Sequence, residues 1–103
     1  MRLLVMFDLP TGNKAERKTY AEFRKFLIED GYTMLQYSVY TRILLTRDGA
    51  DAHVKRLRAH IPAAGAVTVL ELTEKQYSAR MTLVDTRPGK QQADLGAQLT
   101  LTF

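Results

Sequence analysis

Residues 3–7 read Leu-Leu-Val-Met-Phe, an unbroken apolar run that ends abruptly on Asp8, Leu9 and Pro10. Side chains along a strand point alternately to opposite faces. Leu3, Val5 and Phe7 therefore face one way, and Leu4 and Met6 the other. A strand apolar on both faces has to be covered on both. The run is far shorter than the roughly 20 apolar residues of a membrane span. It also lacks the basic region and small-residue cleavage site of a secretory leader. The expectation is a soluble, cytoplasmic chain with no membrane partner.

The remaining patterning predicts what lies around that strand. Thr11-Gly12-Asn13 breaks the run, and Asn13 with Glu16 three residues on resembles a helix capping box. Tyr20, Phe23, Phe26 and Leu27 recur at helical spacing and Gly31 stands where a C-terminal cap belongs, which predicts a helix over 14–30. Residues 33–45 are rich in β-branched and aromatic types, including Tyr37, Val39, Tyr40, Thr41 and Ile43. They predict a second strand, long enough to need a bend or bulge. Asp48 is the expected cap of a second helix, with Ala50, Val54, Leu57 and Ile61 as its buried stripe and Pro62 and Gly65 ending it. Val67 to Leu72 predicts a third strand, and Tyr77 to Val84 a turn and a short fourth.

Residues 85–96 contain Pro88, Gly89, Gln91, Gln92 and Gly96 and read as a linker. Leu99, Leu101 and Phe103 alternate with threonine, so 97–103 reads as a tail strand. The fold class is α+β: a ferredoxin-like βαββαβ core over 1–84, followed by the linker and the additional C-terminal strand. Two helices cover only one face of such a sheet. A second copy of the chain is the simplest cover for the other, since two-fold homodimers are the commonest assemblies. A tail strand beyond a linker suits pairing with a partner's sheet edge. Cover from the chain's own residues is the alternative.

Composition limits the chemistry. The 103 residues contain no cysteine, which excludes disulfides, zinc-thiolate sites and a nucleophilic thiol. Fifteen Lys and Arg against eleven Asp and Glu give a net charge of +4. Lys14, Arg17, Lys18, Arg24 and Lys25 crowd the first helix, and Lys55, Arg56 and Arg58 the second. Clustered positive charge suits a phosphate-binding surface. Balanced by Glu16, Glu22 and Glu29, the same residues also read as a solvated helix face.

Asp8 is the residue that most invites a chemical reading. Alternation puts it on the face of Leu4 and Met6, at the carboxyl end of the strand. A charge beside apolar neighbours is costly unless paired or metal-bound. Two copies meeting across a dimer axis would favour a hard divalent cation such as magnesium, able to polarise a phosphodiester and activate water. Asp8 also reads as a turn aspartate capping local amides, and spacing alone favours that bland role. His53 and His60 lie about 10 Å apart along one helix. They cannot share a metal and read as surface residues. Ser38 and Ser78 sit in no nucleophile-type turn, and neither a P-loop nor a dinucleotide fingerprint is present. Tyr37 and Tyr40 could stack on bases, though core or dimer packing suits both.

Three segments in order carry a family resemblance: Leu4-Val5-Met6-Phe7-Asp8-Leu9-Pro10 followed by a basic helix, then Met34-Leu35-Gln36-Tyr37-Ser38-Val39-Tyr40, then Leu72-Thr73-Glu74-Lys75-Gln76-Tyr77. Over residues 1–84 the chain resembles the CRISPR-associated Cas-two family, with type II, single-effector members most similar. The resemblance implies a ferredoxin-like homodimer with Asp8 at its interface as magnesium ligand and catalytic residue of a metal-dependent endonuclease, acting on RNA or DNA. It also implies a complex with the Cas-one integrase that inserts new spacers, the dimer holding double-stranded DNA by its backbone. Single-stranded RNA is a second substrate class. Lys14, Arg17 and Lys18 are the expected principal contacts to nucleic acid, with Arg42, Lys75 and Arg80 assisting. One carboxylate per chain is sparse equipment for hydrolysis, which favours the scaffold role. A ferredoxin-like RNA-binding or regulatory module without nuclease activity is the remaining alternative.

Overall fold

The structure, a computed structural model, describes residues 1–88; the tail strand expected over 97–103 and most of the 85–96 linker lie outside them. Seven elements follow in order: β1 (Arg2–Asp8), α1 (Lys14–Glu29), β2 (Thr33–Gln36), β3 (Val39–Ile43), α2 (Arg47–His60), β4 (Ala66–Leu72) and α3 (Glu74–Ser78). The four strands form one antiparallel sheet in the order β2-β3-β1-β4. This is the ferredoxin-like arrangement expected from the sequence. The apolar run lies at its centre, paired with β3 on one side and β4 on the other.

Leu3, Val5 and Phe7 are buried, and register places Tyr40, Val67 and Val69 on their face. Phe23 and Leu27 of α1, with Ala50 and Leu57 of α2, complete the same core. Full burial of one such side chain contributes about 1.5–3 kcal/mol. Helix α1 starts as predicted. The Asn13 side chain accepts from the Glu16 amide at 2.8 Å, while Glu16 accepts from the amides of Gly12 and Asn13. It ends in a Schellman motif: the Gly31 amide donates to Ile28, and the Tyr32 amide to Leu27. Gly31 has φ +95, a conformation that suits glycine.

The structure departs from four of the sequence expectations. Residues 33–45 are not one bulged strand but the hairpin β2–β3, reversing at Tyr37-Ser38 with Ser38 at φ 63. No glycine or asparagine marks that turn. It is held from outside, by the Phe7 amide donating to the Ser38 carbonyl at 3.0 Å and by a 2.9 Å hydrogen bond between the Tyr20 hydroxyl and Ser38 Oγ. Helix α2 is capped by Thr46, whose hydroxyl accepts from the Gly49 amide, so Asp48 lies inside the helix rather than at its cap. Ile61 is half exposed beyond the helix instead of closing its stripe. Finally, the segment from residue 77 forms no strand. Thr73 and Gln76 make a reciprocal capping box that starts the short helix α3.

The face of β1 opposite the helices carries Arg2, Leu4, Met6 and Asp8, with Val39, Thr41 and Ile43 of β3 and Thr68 and Leu70 of β4 beside them. The chain covers one end of it. Arg2 pairs with Glu74 at 3.1 Å and lays its guanidinium 3.9 Å from the Tyr77 ring centre, fastening α3 across that end. Toward Asp8 Leu4 and Met6 are half-buried and Leu70, opposite Leu4, is 43% exposed; Ile43, opposite Arg2 at the other end, is 57% exposed.

Candidate metal and nucleic-acid site

Asp8 is the exposed last residue of β1, opposite Ala66 in the β4 register. The chain around it is tightly drawn. Gly65, at φ +97, presses so closely that a Cβ there would lie 2.5 Å from the Asp8 carbonyl oxygen and 2.9 Å from a Leu9 methyl. The Asp8 carboxylate itself makes no hydrogen bond or ion pair among the described residues. A turn aspartate caps the backbone amide two residues on, and here that residue is Pro10, which has no N–H to give. The local capping role that spacing favours is therefore not the one Asp8 plays.

A shallow depression of ≈ 260 Å³ lies in front of Asp8, lined by Met6, Phe7, Tyr37, Ser38, Val39, Ala66 and Thr68. It holds no second carboxylate and no imidazole. Among the described residues no three His, Asp or Glu side chains gather as a metal cluster. An unengaged carboxylate is a suitable hard oxygen donor for magnesium. One chain provides only one, so a cation here would need the Asp8 of a second copy, with backbone oxygens or water completing its shell.

The six expected nucleic-acid residues do not form one patch. Lys14, Arg17 and Lys18 lie exposed on the first turns of α1, at the Asp8 end of the molecule. Arg17 donates to the Thr11 carbonyl at 3.3 Å, and Lys18 meets Glu22 only at 3.9 Å in an open surface pair, which leaves both free to find phosphates. Lys75 and Arg80 belong to the opposite end, about 20 Å away along β1. Lys75 is exposed, whereas Arg80 packs its guanidinium 4.0 Å from the Tyr77 ring centre and donates to the Tyr77 carbonyl. Arg42 points to the helix side of the sheet, since β3 alternates and Tyr40 and Arg42 share a face. Its guanidinium lies against Gly31, and its buried Nε has no hydrogen-bond partner among the described residues.

Arg42 belongs to a polar cluster that sequence spacing does not reveal. Arg56 donates to Asp30 at 2.9 Å, His53 lies 3.5 Å from the same carboxylate, and Arg56 also touches the His53 ring. Burial, then the nearby Arg42 and Arg56 charges, hold His53 below its ordinary pKa. Burial and the Asp30 charge push the Tyr32 hydroxyl up to about 12. His53 is thus mostly buried rather than a surface residue. His60 is exposed as expected, its ring stacked on Phe26 at 4.0 Å. The two tyrosines of the hairpin separate: Tyr40 is 1% exposed in the core, and Tyr37 is 75% exposed at the rim of the Asp8 depression.

Residues 1–80 match the family model described as CRISPR associated protein Cas2. A protein of Acidovorax ebreus named CRISPR-associated endoribonuclease Cas2 is 52% identical over 84 residues, covering 82% of each chain. A protein of the same name from Parvibaculum lavamentivorans is 51% identical over 77 residues, covering 75% of this chain and 76% of its own. In Streptococcus mutans serotype c, another so named is 47% identical over 81 residues, covering 79% and 73%. The crystal structure of Streptococcus pyogenes Cas2 superposes with a TM-score of 0.64 at 24% identity, covering 82% of this chain and 100% of that one. That likeness supports the fold. No helix among the described residues is long and apolar enough to cross a membrane.

Proposed function

The chain belongs to the CRISPR associated protein Cas2 family, and from that premise we propose that it is a CRISPR adaptation protein: a homodimeric nucleic-acid scaffold that works with the Cas-one integrase to insert new spacers. Metal-dependent phosphodiester cleavage through Asp8 is its second, separable activity; relatives bear the name endoribonuclease. The observation that carries the reading is the position of Asp8, a carboxylate unengaged among the described residues, on the sheet face opposite α1 and α2 and at the end that α3 leaves uncovered. A two-fold copy seated on Leu4, Met6, Ile43 and Leu70 would bury that apolar surface and bring two Asp8 carboxylates toward one axis. Magnesium held between them would supply Lewis acidity and a bound water of lowered pKa. The chain's own part is to place the carboxylates. Among the described residues no general base stands beside Asp8, which fits a slow nuclease and a scaffold whose integration chemistry belongs to its partner.

Lys14, Arg17 and Lys18 hold the phosphates in this reading, with Lys75 at the far end extending the track. Arg42 and Arg80 contribute to the fold at their observed positions, and any assistance they give to binding is indirect. Sedimentation at low micromolar concentration is expected to give about twice the 11.7 kDa of one chain. A clean monomer there would remove the paired-aspartate site. Light scattering of the protein with Cas-one and a duplex is expected to show one complex containing all three.

Removing Arg17 and Lys18 together, both to alanine, is expected to weaken duplex binding to the same degree for every sequence. Each phosphate no longer neutralised flattens the log–log salt dependence by about 0.9, so the pair should flatten it by about 1.8. A loss confined to one sequence would mean that these residues read bases rather than the backbone.

A further inference from the structure

We propose that Tyr37 is a stacking platform for one unpaired nucleobase of a strand lying beside Asp8, a site that deepens the nucleic-acid function proposed above and rests on it. Four rings run in contact from the core to the surface. Phe7 packs on Phe23 at 5.1 Å and on Tyr20 at 5.6 Å, and Tyr20 in turn stacks on Tyr37 at 5.7 Å with only 18° between the planes. Tyr37 is the outermost and is 75% exposed, between the Asp8 depression and a second shallow hollow lined by residues 84–87. The bond between Tyr20 and Ser38 and the Phe7 amide on the Ser38 carbonyl hold the turn that carries it. A ring already fixed in this way has little rotamer freedom left to lose on binding.

The surroundings select the ligand. Tyr37 and Asp8 line the same depression, so a base on Tyr37 would set the adjoining phosphodiester near the carboxylate. Arg17 stands three residues before Tyr20 on α1, about 4.5 Å along the axis, where it can meet the backbone of the same strand. Every base has a flat π-face, so stacking is tolerant of sequence. Bases within a duplex are already stacked, so the ligand is an unpaired nucleotide.

The test compares the intact protein with Tyr37→Ala, Tyr37→Phe and Tyr37→Trp, using fluorescence anisotropy on a single-stranded oligonucleotide and on the matched duplex. Base–aromatic stacking corresponds to a loss of roughly 5- to 150-fold on alanine substitution. Tyr37→Ala should show that loss on the single strand, bind the duplex within about twofold, and keep the same salt slope, because stacking releases no counterions. Tyr37→Phe and Tyr37→Trp should retain single-strand binding. A 2-aminopurine placed at the unpaired position should be quenched by the intact protein and by Tyr37→Phe, but not by Tyr37→Ala. Equal single-strand binding by Tyr37→Ala overturns the platform and leaves the proposed function standing. Loss by Tyr37→Phe as large as by Tyr37→Ala assigns the effect to the hydroxyl and also overturns it. If the intact protein binds neither nucleic acid, the function itself falls.

Discussion

Replacing Asp8 by asparagine is expected to lower metal-dependent cleavage by at least about 100-fold while the dimer still folds and still supports integration by Cas-one. Asparagine keeps the shape of the side chain and one oxygen but removes the charge that a hard cation needs. Folding should be indifferent, because the carboxylate is exposed and makes no bond within the described residues. The dimer is expected to become slightly more stable in the absence of metal, since two like charges at one axis no longer repel. Cleavage and integration, measured on the same purified variant, separate the two roles. Integration lost by a folded Asp8→Asn dimer would make the carboxylate part of the scaffold's essential work. Cleavage unchanged would remove Asp8 from the chemistry altogether.

Gly65→Ala should destabilise the protein by about 3 kcal/mol or more, read as a fall in denaturant midpoint at unchanged slope. Two costs add. The left-handed region at φ +97 is unfavourable for alanine, and the new methyl would stand 2.5 Å from the Asp8 carbonyl, a distance that no flexible side chain can relieve. The backbone of Asp8 and Leu9 would have to move, so cleavage should fall together with stability. Gly49→Ala is the control. Its Cβ would meet nothing closer than the Thr46 hydroxyl at 3.7 Å, within a helix that favours alanine. That substitution should be neutral or mildly stabilising. A Gly65→Ala protein within about 1 kcal/mol of the original would contradict the close approach of the β4 entry to the Asp8 turn.

Local rules were enough for much of this molecule. Alternation in residues 3–8 established which side chains of β1 face the helices and that Asp8 lies on the other side. Asn13, Glu16 and Gly31 marked the ends of α1, because a cap is a contact between near neighbours in the chain. The Thr73–Gln76 box at the start of α3 was equally local. It is visible in the sequence, although the aromatic and β-branched residues after it suggested a strand.

Tertiary contacts decided the rest. Residues 33–45 have strand propensity throughout, so nothing local locates the reversal at Tyr37-Ser38; the partners that hold it come from β1 and α1. The sorting of the basic residues also waited on register, since a shift of one position exchanges the faces of a strand. Arg42 lies under the helices because it pairs opposite Leu3, and Arg80 packs on Tyr77 because α3 folds back over Arg2. Charge and spacing identify a residue that can bind phosphate. Whether it faces solvent depends on segments distant in sequence, and for the same reason Tyr37 and Tyr40, three residues apart, lie one at the surface and one in the core.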